Sequence, residues 1–211
     1  MKQVILALSL LLLTFAAHGA YSVAPDVAKE YAELRIKVQN APDDPGLNFE
    51  YAICLSYLGN IEEGRVALKR VRALDAGFAQ KALPKYFSAY QKNPADPKVK
   101  YRLGFLYYFT DDYDQALRFL GEVADQKPVV QLNAWALGYM AVIKGKQKKW
   151  DDAEALVRRA LVIEPEAYGL YAALAVALKG NGKYFSAMRE YVTATEMRKE
   201  FEEYLKTLTP Q

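Results

Sequence analysis

The chain has 211 residues, about half of them apolar and a quarter charged, with a net charge of +3. That length suffices for one sizeable core or a short superhelical array, and the composition is that of a globular protein. So small a positive surplus leaves no electrostatic footprint for nucleic acid, and a single cysteine, Cys54, excludes an intramolecular disulfide.

Residues 1–19 (MKQVILALSLLLLTFAAHG) combine a basic start, an apolar run from Val4 to Ala17 and small residues before Ala20. This is the pattern of a secretory signal peptide cut between Gly19 and Ala20, which predicts a periplasmic or secreted protein. The run of about 14 residues is shorter than the roughly 20 that a membrane-spanning helix needs, so an uncleaved anchor is the alternative reading. Cleavage would remove His18, the sole histidine, and with it histidine-based acid–base, nucleophilic and metal chemistry. Cys54 sits in an apolar helical run (YAICLSYL) and reads as a small buried residue.

Residues 20–44 hold a short leader and then one helix, Asp26 to Asn40, with Val27, Tyr31, Leu34 and Val38 along one stripe. Residues 45–78 read as a helix pair, with Ala52, Leu58-Gly59 and Gly64 as landmarks. Residues 79–96 (ALPKYFSAYQKNP and its exit) form an extra helix expected to start near Pro84, since proline is tolerated in a first turn. Residues 97–130 form a second pair, with Leu103-Gly104, Tyr107, Ala116 and Pro128 at fixed offsets. Residues 131–167 repeat the pattern with Leu137-Gly138, Ala153 and Pro165, the last two arriving three residues late because the turn GKQKKW is longer. Residues 168–211 give Leu174-Ala175, Gly182, Tyr184 and Ala187, followed by a helix expected to run to about Lys206, where Phe201, Tyr204 and Leu205 cap the open end of the array.

The LG…Y…A…P order resembles the tetratricopeptide repeat, a helix–turn–helix unit of about 34 residues. The resemblance implies an all-α fold, a right-handed superhelical array of antiparallel helix pairs. Four pairs of small residues fit close helix crossings: Ala52/Gly64, Gly104/Ala116, Gly138/Ala153 and Ala175/Ala187. Glycine inside a helix costs about 1 kcal/mol against alanine, so Gly104 and Gly138 require a packing reason.

In the family the first helix of each unit lines a concave face, which the resemblance places here on Phe49, Ile53 and Tyr57, then Lys98, Tyr101, Phe105, Tyr108 and Phe109. Leu132, Trp135, Tyr139, Val142 and Ile143 follow, and finally the blander Ala172, Val176 and Lys179. The expected partner-binding residues are therefore Phe49, Tyr57, Lys98, Tyr101, Phe105, Tyr108, Phe109, Trp135 and Tyr139. A helix as apolar all round as YRLGFLYYF needs a cover on its second face. That cover is either a partner segment or the chain's own N-terminal or extra helix. Lys98 and Arg102 share the spacing of the family's carboxylate clamp, but the matching asparagines are absent. The basic turn with Lys144, Lys146, Lys148 and Lys149 could touch an anionic membrane surface or is simply solvated.

No glycine-rich phosphate loop, GxSxG, CxxC or HExxH occurs, and no cofactor is implied. The acid pairs Glu62-Glu63, Asp111-Asp112 and Asp151-Asp152 each fall where a second helix opens, where acids cap it. The reading is a non-catalytic scaffold or assembly factor of the cell envelope that binds a protein or peptide segment. Self-association through an exposed repeat face is the alternative, and an enzyme with an unrecognised carboxylate site the remote one.

Overall fold

The computed structural model describes residues 23–126 and 130–208. The export signal, its cleavage point and the Pro128 landmark lie outside the described residues. Among those described are ten helices: α1 (Pro25–Asn40), α2 (Pro45–Leu58), α3 (Ile61–Leu74), α4 (Phe78–Lys92), α5 (Pro97–Phe109), α6 (Tyr113–Ala124), α7 (Val130–Lys146), α8 (Trp150–Ile163), α9 (Tyr168–Gly180) and α10 (Tyr184–Thr207). None is long and apolar enough to cross a membrane.

Short polar side chains set several of the starts. Asp44, Asn60, Asp96 and Asp112 each accept a hydrogen bond from a backbone N–H in the first turn of the helix that follows. Proline opens α1, α2 and α5, where its missing donor costs nothing. The helix α4 departs from expectation. It begins at Phe78, so Pro84 lies inside it, where the ring interrupts one intrahelical bond. The helix nevertheless persists because its inner face (Phe78, Ala79, Ala82 and Tyr86) is buried.

From α4 onward the helices stack in order, each packing on the next, and α7 and α9 also reach the inner helix of the preceding pair. Close approach explains Gly104 and Gly138. A methyl group on Gly104 would come within 2.8 Å of Leu120 Cγ and 3.2 Å of its backbone nitrogen, so α5 and α6 cross here with no room for alanine. Gly64 faces Leu55 and the Ala52 carbonyl across α2 and α3 at 3.5 and 3.9 Å from an added methyl, an ordinary contact that would also admit alanine. Gly138 differs from expectation: its nearest neighbour is Leu170 of α9, at 2.9 Å from an added methyl, so it serves the stacking of one pair on the next.

The hairpin α2–α3 does not extend the stack. Ten of the fourteen residues of α2 are buried, because α2 lies on the inner helices of the following pairs. Phe49 meets Phe78 of α4 together with Phe105 and Phe109 of α5, at ring-centroid distances of 5.2, 6.0 and 5.6 Å. Gly59, at φ +89°, closes α2 against the Trp135 ring of α7, and Ile61 at the head of α3 abuts Gly169 of α9. An apolar helix with no polar face is stable only when enclosed, and α2 and α7 enclose one another. Each is the cover the other needs.

The far end also differs from expectation. Phe201 does not shield the end of the stack: it is buried against Tyr168 of α9. Tyr204 turns toward the N-terminus and its hydroxyl accepts a hydrogen bond from the Val23 N–H at 3.3 Å. The two ends of the described fold therefore meet.

Candidate partner-binding surface

Of the nine residues expected to line an open groove, Phe49, Tyr57, Tyr101, Phe105, Phe109 and Trp135 lie in the hydrophobic core. This corrects their assignment to an exposed face, and the reason is physical: α2 carries Phe49 and Tyr57 and packs them onto the other four. Tyr57 and Tyr101 pack edge to face at 5.7 Å, and the Tyr101 hydroxyl shares a hydrogen bond of 3.0 Å with Ser56 Oγ. A buried tyrosine needs such a partner, and α2 supplies it.

Lys98 and Arg102, the two residues with clamp spacing, are committed internally. Lys98 Nζ lies 3.3 Å from Glu30 and 3.4 Å from Asp26 of α1. Arg102 bonds Glu30 and, on α2, Glu50, both at 3.1 Å, and the Tyr86 hydroxyl donates to Glu50. Burial alone would lower the Arg102 guanidinium, but Glu50 and Glu30 outweigh it and raise it above its ordinary value. This network ties α1, α2, α4 and α5 together instead of offering cations to a ligand.

Within the basic turn, Lys146 bridges Asp111 and the Tyr113 hydroxyl and sits 5.0 Å above the Tyr108 ring. Lys144 lies 4.0 Å from Asp152, while Lys148, at φ +59°, carries the turn.

The half-buried Tyr108 and Tyr139 stand at the edge of the covered region, 5.2 Å apart between ring centroids. They line a cleft of about 340 Å³ together with residues of α3 and α9. Leu68 and Arg65 of α3 and Ala172, Ala173 and Val176 of α9 are among its other lining residues. A second hollow of about 410 Å³ continues past Val142, Ala173 and Val176 to Trp150. The ring of Trp150 is clasped between Gly145 and Gly180, either of which would strike it if it bore a methyl group.

The open trough therefore lies over α9, whose inner residues looked bland. Its apolar lining has Arg65 and Glu62 at the rim, which suits a segment with one apolar face. The sequence signal for this location was faint. Ala172, Ala173 and Val176 line the trough, and small residues alone also fit a helix crossing.

One buried carboxyl stands apart. Glu164, at the C-terminal end of α8, is 7% exposed, and burial pushes its carboxyl up to about 8 despite the nearby Trp135 indole. Neither Glu164 Oε2 nor Trp135 Nε1 is met in proper hydrogen-bond geometry.

Residues 73–138 match the family model for the tetratricopeptide repeat. No curated protein matches the chain. Among solved structures, PilF of Pseudomonas aeruginosa aligns with a TM-score of 0.52 at 15% identity, over 82% of this chain and 77% of that one. MamA of AMB-1 aligns with a TM-score of 0.45 at 20% identity, over 82% and 90%. MamA of MSR-1 aligns at 0.45 and 20%, over 82% and 88%. At these identities the likeness concerns the fold.

Proposed function

We infer that this chain, a tetratricopeptide-repeat protein whose helices form an α-solenoid, is a non-catalytic scaffold or assembly factor of the cell envelope. It holds a segment of a partner protein in the trough over α9. The observation that carries the reading is the continuity of the two apolar hollows through Val142, Ala173 and Val176. Burying apolar side chains there removes water from a surface that the fold leaves open, at about 25 cal/mol per Å². The trough accepts an amphipathic helix or an extended strand with apolar anchors, the usual ways in which a groove captures a peptide. The envelope assignment rests on the signal-like residues 1–19.

Site-specific photo-crosslinking in intact cells tests this. A crosslinker at Val176 is expected to capture a discrete partner other than the chain itself, and Val142→Glu should abolish that adduct. The same crosslinker at Val162, exposed on the outer helix α8, should capture none. Capture at Val162 with none at Val176 would refute the assignment.

A further inference from the structure

Among the described residues the array stops at α9 and α10. Inside the array, α7 rests on both α5 and α6, and α9 rests on both α7 and α8. The same seat on α9 and α10 is a hollow of about 460 Å³, floored by Ala175 and Ala187 and walled by Val176, Tyr184, Met188 and Tyr191. Beside it, Phe185 is 88% exposed and Val192 48%. Residues 184/185, 188 and 191/192 recur at helical spacing, so they form one stripe. Ala187, Glu190, Ala194 and Met197 turn the other face of α10 inward. Three aromatics of roughly 200 Å² each, mostly exposed, already present about 400 Å². With Met188, Val176 and Val192 the patch approaches the roughly 800 Å² per partner of a stable interface. An apolar area of that size on a soluble protein marks a docking surface.

We propose that the occupant of this face is a second copy of the chain, joined end to end about a twofold axis with the two α10 helices antiparallel. The charge pattern favours this occupant. Lys179 stands beside Tyr184 at the entry to the stripe, and Glu196 lies eight residues beyond Met188, about 12 Å along the helix. Neither has an ion-pair partner among the described residues. With the axis near Tyr191, Glu196 of each copy comes level with Tyr184 and Lys179 of the other, so the apolar stripe pairs with itself and each end meets its opposite charge. An isologous contact requires this kind of self-complementarity. The inference does not rest on partner capture in the trough over α9, although Ala172 and Val176 border both hollows.

Sedimentation velocity from low micromolar concentration upward reads the outcome. The wild-type chain is expected to pass from monomer to dimer, and the double substitution Met188→Glu, Tyr191→Glu to weaken association about a hundredfold or more. Both side chains are exposed, so helix content by circular dichroism should not change. Glu196→Lys should weaken the dimer several-fold, and adding Lys179→Glu in the same chain should restore it. A wild-type chain that stays monomeric throughout, with the face left to a different partner, would overturn the proposal. So would a dimer indifferent to the double substitution, or a charge swap that fails to restore association.

Discussion

Replacing Glu164 by glutamine should stabilise the protein and flatten its response to pH. The carboxyl has an ordinary value of 4.5 and is pushed up to about 8 by burial in the fold. Between those values the unfolded chain has released its proton while the folded chain retains it, so stability falls as pH rises through this window and is unaffected below it. At about 1.4 kcal/mol per pH unit, the loss is roughly 3 kcal/mol at pH 7 and approaches 5 above pH 8. Glutamine keeps the shape and leaves an oxygen beside the Trp135 indole without any charge to desolvate. For a chain of this size the gain at pH 7 corresponds to about 6–12 °C in melting temperature. Thermal melts of both proteins at pH 4, 6 and 8 check this. The difference should be near zero at pH 4 and widen with pH, and other titrating groups cancel in the comparison. A constant difference, or a wild-type advantage at pH 8, would refute the burial argument.

Three further outcomes follow from the packing. Gly104→Ala should destabilise by about 1–3 kcal/mol in urea melts, although helix propensity alone predicts a gain of about 1 kcal/mol, because the methyl group meets Leu120. Arg102→Met should cost about 2 kcal/mol, below the roughly 3–5 kcal/mol of a fully buried orphaned partner, since Glu30 and Glu50 remain about a fifth exposed; the same melts measure it. Val176→Glu, at a position 60% exposed, should leave melting within about 0.5 kcal/mol of wild type while abolishing partner capture. Loss of stability instead would mean that Val176 belongs to the core.

The helix pairs were legible because their determinants are local. The capping residues Asp44, Asn60, Asp96 and Asp112 mark the starts, and Gly104 sits where two helices cross. The route of α2 was not legible. Its sequence, like that of α7, is apolar on every side, which says that each needs a cover but not which helix provides it. Contacts such as Phe49 with Phe105, or Gly59 with Trp135, join residues far apart in the chain, and no periodicity encodes them. The aromatic residues therefore looked like a binding face when they are the seam between two helices. The stripe from Tyr184 to Val192 did show helical spacing, and only its exposure distinguishes it from core.

Hydrogen exchange of the α2 amides tests the self-filled groove most directly. With α2 enclosed by α4, α5 and α7, amides from Cys54 to Leu58 should exchange as slowly as those of α7, through global unfolding alone. Exchange about a hundredfold faster than α7 would show the hairpin α2–α3 opening from the groove, and would contradict the account.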